Sequence, residues 1–332
     1  MYGSAPFDVT LMTLTQLEVF VLVARLGSVK AAADALGVSE PAVSGALAAL
    51  RRQLDDPLVT RTPTGMALSP AGQRFVPIAS QIVGLAAEGE AAVRSANGSP
   101  ERVRTAATST VAEFVAPPLL ATFSTRAPNV ETTLGVTESA AMPALLHERL
   151  ADVCFGPRLT GDSAGGIVSE AMMRYGLVVV ASPDFHLTGR GPLRWEALVG
   201  EDWLVAPSGI DPSSEVGMLM QRLRVPDRRV RVFPNQAAAW SAAAAGAGVA
   251  PAISHLVKPE IDRKVLCRLA VESTPVNLMW YVSTLRSERR PPGVAALVRF
   301  LATSEAVQAM HRSDGAVPPS RFRPPVYVTL WS

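Results

Sequence analysis

Ser28-Val29-Lys30-Ala31-Ala32-Ala33-Asp34-Ala35-Leu36-Gly37-Val38-Ser39-Glu40-Pro41-Ala42-Val43-Ser44-Gly45-Ala46-Leu47 is the stretch whose reading decides the fold. Ala32, Leu36, Val38, Val43 and Ala46 fall where two crossing helices bury apolar side chains against each other. Ala33 is small enough for a close crossing, and Gly37 supplies the left-handed turn between the helices. Ser28 and Ser39 are each placed to cap the helix that follows, and Pro41 falls in a first turn, where its missing N–H leaves no bond unmade. Two short helices meeting at a tight turn, the second opening on a capped and small-residue start, are the pattern of a helix-turn-helix that sets a recognition helix in a DNA major groove. The plainer reading is a helical hairpin in a core.

The flanks weigh against the hairpin. Upstream, Leu14, Leu17, Phe20, Val21, Val23 and Ala24 form the apolar face of one more helix, starting near Thr13 or Thr15. Downstream, Leu47, Leu50 and Leu54 continue the recognition helix. Residues 55–72 read as two short strands around a Pro/Gly turn, then a helix capped at Ser69 with Pro70 in first position. The result is a winged helix.

On Leu17, Phe20, Ser28, Ala31, Ala32, Leu36, Ser39, Pro41, Ala42, Val43, Ser44, Leu50, Arg61 and the run Leu68-Ser69-Pro70-Ala71-Gly72, the chain resembles the LysR-type bacterial transcriptional regulators. The resemblance implies a winged helix-turn-helix over 13–70, a linker and dimerisation helix over 71–95 and a hinge over 96–101. It also implies a two-lobed, periplasmic-binding-protein-like α/β effector domain over 102–312, with lobe 1 about 102–174 and 276–312 and lobe 2 about 175–275. The implied partners are an inverted repeat of double-stranded DNA, a small-molecule effector between the lobes and further copies of the chain, as a homodimer or homotetramer. RNA polymerase is a candidate partner.

The DNA-facing residues implied are Ser28, Lys30, Ser39, Glu40, Pro41, Ala42, Ser44, Gly45, Arg52, Arg61 and Thr62. Lys30 and Arg52 read as phosphate anchors, and Arg61 as a minor-groove contact from the wing. The family usually has Gln at Glu40, a basic or amide residue at Gly45 and Glu at Arg51. Glu40 accepts a hydrogen bond from cytosine N4 but cannot donate to a base acceptor. The expected base preference therefore departs from the family norm. Residues 1–95 carry seven Lys and Arg against eight Asp and Glu, so a general polyanion clamp is excluded there and recognition must rest on a few placed cations.

Within the stretch 70–95, Phe75, Ala79, Ile82, Ala86 and Val93 recur at mostly three- and four-residue steps, a seam suited to a twin helix or to the chain's own body. Pro77 should bend this helix or cap its first segment. From about 102 the pattern alternates. Strands are expected at 103–108, 130–136, 151–155, 176–181, 203–206, 230–233, 249–253 and 277–283. Helices are expected at 111–123, 141–150, 213–223, 236–245 and 293–310, which together imply a parallel, doubly wound α/β domain.

Ligands of such sheets sit beyond the carboxyl ends of strands, near helix starts. Four segments qualify: Thr108-Ser109-Thr110, Glu138-Ser139, Ser208-Gly209 (after Pro207) and Asn235-Gln236. Hydroxyls and free amides at helix starts favour a carboxylate or similar anion, although the same residues also serve as plain caps. Thr108 and Ser109 are the strongest candidates.

Other signals carry little. Cys154 and Cys267 are the only cysteines, and they read as inert reduced thiols. His147, His186, His255 and His311 lack metal-ligand spacing, so no metal is expected. No catalytic set or cofactor fingerprint stands out, and neither an enzyme nor a cofactor is expected. The first residues lack a charged and then apolar export signal, and residues 236–253 are too polar for a membrane span, which points to the bacterial cytoplasm. Residues 313–332 form a Pro-rich tail whose 326–331 segment is strand-like. The competing reading of the whole chain is a small-molecule-binding protein or enzyme whose N-terminal helices serve only assembly.

Overall fold

The computed structural model describes residues 12–62, 65–161, 164–212, 214–286, 288 and 290–311, arranged as two compact units. The expectations for the tail and for the turn at 63–64 lie outside these residues.

The first unit contains helices α1 (Leu14–Leu26), α2 (Val29–Leu36) and α3 (Glu40–Leu54), an antiparallel hairpin of β1 (Val59–Thr62) and β2 (Gly65–Leu68), and the long α4 (Pro70–Ala96). Local chemistry sets each boundary. Thr13 and Gln16 form a reciprocal capping box on α1, Ser28 caps α2, Ser39 caps α3 and Ser69 caps α4. Gly37 ends α2 in the left-handed region, at φ 66°. Phe20, Val23, Ala32, Val43, Leu47 and Leu50 are buried together, and Phe75 of α4 stacks on Phe20 with ring centroids 5.3 Å apart. Val38, expected in this core, is instead 47% exposed, because the turn after Gly37 turns it outward. Pro77 lies inside α4 without ending it.

The base of the hairpin is locked. Asp56 Oδ1 accepts from the Leu58 amide and from Ser69 Oγ, both at 2.6 Å, while Ser69 Oγ accepts from the Gly72 amide at 2.9 Å. A Cβ at Gly72 would stand 2.1 Å from the Leu58 carbonyl oxygen, so no side chain fits there. Arg51 of α3 donates to the Val59 carbonyl at 2.6 Å, fastening the wing to the recognition helix.

The second unit is built on one mixed sheet in the order β10-β6-β11-β5-β3-β4, with β9 also on β6. Its strands are β3 (Glu101–Ala107), β4 (Val130–Val136), β5 (Val153–Gly156), β6 (Ile167–Ala181), β9 (Ala250–Ile253), β10 (Cys267–Arg268) and β11 (Val276–Leu285). A small parallel pair, β7 (Trp203–Val205) and β8 (Val230–Val232), completes the second half. The parallel pairing expected from the sequence holds for only part of this sheet. β4, β3 and β5 run parallel, but β6 and β11 lie antiparallel side by side because the chain passes out to the second half and back along them.

Helices α5 (Ala116–Arg126), α6 (Met142–His147), α7 (Glu215–Leu223), α8 (Gln236–Ala244), α9 (Lys258–Asp262), α10 (Pro292–Leu301) and α11 (Ser304–His311) cover the sheets. Three helical expectations change. The helix at 111–123 opens as a π-helical segment, Val111–Val115. Pro117 and Pro118 lack the amides that regular α turns would aim at the carbonyls of residues 113 and 114, and the backbone widens there. The single helix at 293–310 is two, with Thr303 capping the second through the Ala306 amide. The helix at 141–150 ends at His147, and Arg149 beyond it takes a positive φ of 53°. The expected helix start at Ser213 lies outside the described residues, and the observed α7 is capped by Ser214. No helix among the described residues is long and apolar enough to cross a membrane.

Candidate DNA interface and effector site

Helix α3 divides cleanly. Val43, Leu47 and Leu50 are buried, while Ser39, Glu40, Pro41, Ala42, Ser44, Gly45 and Arg52 are exposed along the other face. Ser39 accepts from the Ala42 amide at 3.4 Å and Glu40 sits in the first turn, where a carboxylate suits the positive end of the helix dipole. A Cβ at Gly45 would meet nothing within 4 Å, so a side chain is sterically allowed there and its absence flattens the exposed face. Lys30 is exposed on α2, Ser28 is half-buried by its cap, and Arg61 is exposed on β1 beside half-buried Thr62, whose hydroxyl donates to the Gly65 carbonyl at 3.1 Å.

The expected seam of α4 splits. Ala79 is buried and Phe75 half-buried, both packed into the unit's own core, so they do not form an outer seam. Ile82 is exposed, Ala86 is half-buried and Val93 is 63% exposed. Ile78 and Leu85, which the sequence reading omitted, are 55% and 53% exposed and join Ile82 and Val93 in one apolar stripe.

In the second unit the carboxyl ends of β4, β3 and β5 lie together: the Thr137 amide donates to the Ala107 carbonyl and the Thr108 amide to the Phe155 carbonyl. Gly156 leaves room for Thr108, since a Cβ there would stand 3.1 Å from Thr108 Cγ2. Ser109 follows immediately, and its Oγ is buried without a hydrogen-bond partner among the described residues. Thr110 and Ser208 are half-buried, Ser139 and Gly209 are buried and Glu138 is exposed.

The four expected segments meet in pairs. Ser139 Oγ lies 3.5 Å from Asp211 Oδ2, just beyond Ser208 and Gly209. The turn after Thr110 reaches α8, where the Gln236 and Ala237 amides donate to Glu113 Oε2 and Oε1 at 3.1 and 3.2 Å. Asn235 and Gln236 are therefore occupied structurally. Asn235 Oδ1 accepts from the Ala238 amide, and Gln236 Nε2 donates to the Pro251 carbonyl at 3.0 Å. With Glu113 on the first two amides, the first turn of α8 has its donors filled from within the chain, contrary to the expectation that they stand free for an effector. Burial pushes the Glu113 carboxyl above the usual carboxylate value, with the two backbone donors pulling it down by less. Glu113 and Asp211 were missed in the sequence. The adjacent Pro117-Pro118 pair was the available signal for Glu113, because it marks a widened turn.

Burial also pushes the Cys154 thiol far up, leaving it unreactive. Among the described residues no group of His, Cys, Asp and Glu is placed to hold a metal ion.

A winged helix-turn-helix with its polar face outward, in one chain with a two-lobed α/β domain, defines a ligand-responsive transcriptional regulator. The chain belongs to the LysR family: residues 14–73 match the bacterial regulatory helix-turn-helix protein model of the lysR family, and residues 96–306 match the LysR substrate binding domain. It is 35% identical to an HTH-type transcriptional regulator of Mycobacterium tuberculosis, over 97% of this chain and 100% of that one. Full-length CbnR, solved complexed with its target DNA, shares the fold with a TM-score of 0.59 at 22% identity, covering 87% of this chain and 99% of its own. The regulatory domain of Synechocystis CcmR, in complex with 2-PG, gives a TM-score of 0.51 at 24% identity, over 60% of this chain and 95% of that one.

Proposed function

We propose that this regulator acts in the bacterial cytoplasm, binding an inverted repeat through α3 and the wing of two copies held together by the exposed stripe of α4. The observation that carries the reading is the clean division of α3, whose outer face presents Ser39, Glu40, Ser44 and Arg52 and no large apolar group. CbnR is solved on its target DNA, which supports a DNA partner for the same fold. Ser39 and Ser44 reach base edges, Glu40 accepts from a cytosine, and Lys30, Arg52 and Arg61 hold phosphates or the minor groove. Footprinting on DNA flanking the chain's own gene tests this. Protection of an inverted repeat is the expected result, and no DNA affinity even at low salt would leave the N-terminal helices with assembly alone.

The effector is a small anion, held where Thr108, Ser109 and Thr110 leave β3. The support is the buried Ser109 hydroxyl with no partner among the described residues, a group that a ligand would satisfy. CcmR, with 2-PG in its regulatory domain, supports a small-molecule ligand in a domain of this fold. A thermal-shift screen of small carboxylates against the full chain, repeated with Ser109→Ala, tests it. A compound that stabilises the wild type and not the variant is the expected result.

A further inference from the structure

Glu113 and Phe114 come from the π-helical segment that follows β3, in the first half of the effector domain. Their partners come from α8, in the second half. Glu113 takes the first two amides of α8 at 3.1 and 3.2 Å, and the Phe114 ring stacks on Trp240 with centroids 5.0 Å apart and planes at 22°. The receiving side is fixed independently, because Gln236 Nε2 and Trp240 Nε1 both donate to the Pro251 carbonyl of β9 at 3.0 Å. The giving side is fixed by Pro117 and Pro118, which set the widened turn. A carboxylate held on two backbone amides at a helix N-terminus is a charge-assisted contact, and it excludes any other anion from those donors.

We infer that Glu113 and Phe114 form a latch that fixes the angle between the two halves of the effector domain. The contact differs from an ordinary helix cap in one respect. Asn235 already caps α8 from within its own half, through the Ala238 amide at 2.8 Å. Glu113 adds nothing that α8 needs for its own end beyond what water would supply. What it adds is a tie across the junction. The latch spans the junction whatever the effector is and whether or not Ser109 touches it.

The test uses the full chain with Glu113→Ala and Glu113→Gln. Hydrogen exchange at the Gln236 and Ala237 amides is expected to quicken about tenfold in Glu113→Ala, and by less in Glu113→Gln, which keeps one acceptor, while β3 and β5 stay protected. Spin labels at Glu131→Cys and Arg228→Cys, exposed positions in the two halves, with Cys267→Ser, read the spacing by double electron–electron resonance. The distance distribution should shift or broaden in Glu113→Ala. If both variants fold and give the wild-type distance distribution, the latch is overturned and Glu113 is a local cap only. Unchanged exchange at Gln236 and Ala237 would overturn the contact itself. Should Glu113→Ala fail to fold, Glu113→Gln alone decides, by the same two readouts.

Discussion

Asp56 Oδ1 accepts the Ser69 hydroxyl at 2.6 Å, joining the residues on either side of the wing at its base. The same oxygen takes the Leu58 amide, and the Ser69 hydroxyl in turn caps α4. Two loop residues thereby set where the hairpin leaves the helical core and where the long helix starts. Ser69→Ala breaks the cap and strips the carboxylate of a partner. A loss of about 1–2 kcal/mol in chemical denaturation is expected, with weaker DNA binding. Unchanged stability would mean that water replaces the hydroxyl.

Arg51 and Arg61 separate structure from recognition. Arg51→Ala removes the tie to the Val59 carbonyl, so it should lower the melting temperature and DNA affinity together. Arg61→Ala should leave the melt unchanged, weaken DNA binding and reduce its salt dependence by about one counterion. A melt that falls for Arg61→Ala would place that residue in the fold instead.

Ser109→Ala removes a buried hydroxyl that has no partner among the described residues. Such a group costs about 1–3 kcal/mol when unsatisfied, so the variant should melt at the same temperature or higher. Effector-free DNA binding should persist while the response to effector disappears. Titrations of wild type and variant that superimpose would remove Ser109 from the site.

His255 makes stability depend on pH. Burial, helped by the nearby His311, holds its pKa at about 4, against an ordinary 6.5. The rings lie 5.1 Å apart, centroid to centroid, and His255 Nε2 is buried without a partner among the described residues. Because the folded protein resists this proton, the stabilisation is complete above pH 6.5 and is lost as pH falls towards about 4. Partial exposure screens the effect to the order of 1–2 kcal/mol. Melts of His255→Asn should flatten across that window.

On α4, Leu85→Glu places a charge in the exposed apolar stripe and should lower the mass seen by light scattering, while the monomer's melt is kept. Phe75→Ala, which loses the stack on Phe20, should instead destabilise the unit by about 3 kcal/mol.

The caps at Ser28, Ser39 and Ser69 were legible because each sits one residue before an apolar period, and local hydrogen bonding alone decides them. Strand β4 was legible to the residue, since Val130–Val136 is bounded by an Ala-Pro-Asn turn and a Thr-Glu-Ser start. The direction of β6 and β11 was not, because strand polarity depends on where the chain must travel and not on its own alternation. Phe75 and Ala79 carried a correct spacing but face the unit's own core: periodicity reports a stripe but not which neighbour covers it. Glu113 was hidden for a related reason. A charge on a helix reads as solvated until the tertiary structure supplies amides more than a hundred positions away.

Strands β6 and β11 pair residue by residue from Ile167 with Leu285 to Leu177 with Val276, interrupted only by the irregularity at Trp280 and Tyr281. A hydrogen-bonded ribbon of this kind resists stretching and in-plane shear, yet it twists and flexes out of its plane. Torsion of the ribbon is then one route by which the halves can speak to each other, beside the Glu113 and Phe114 contacts with α8, and a ligand that turns one half works as a wrench on it.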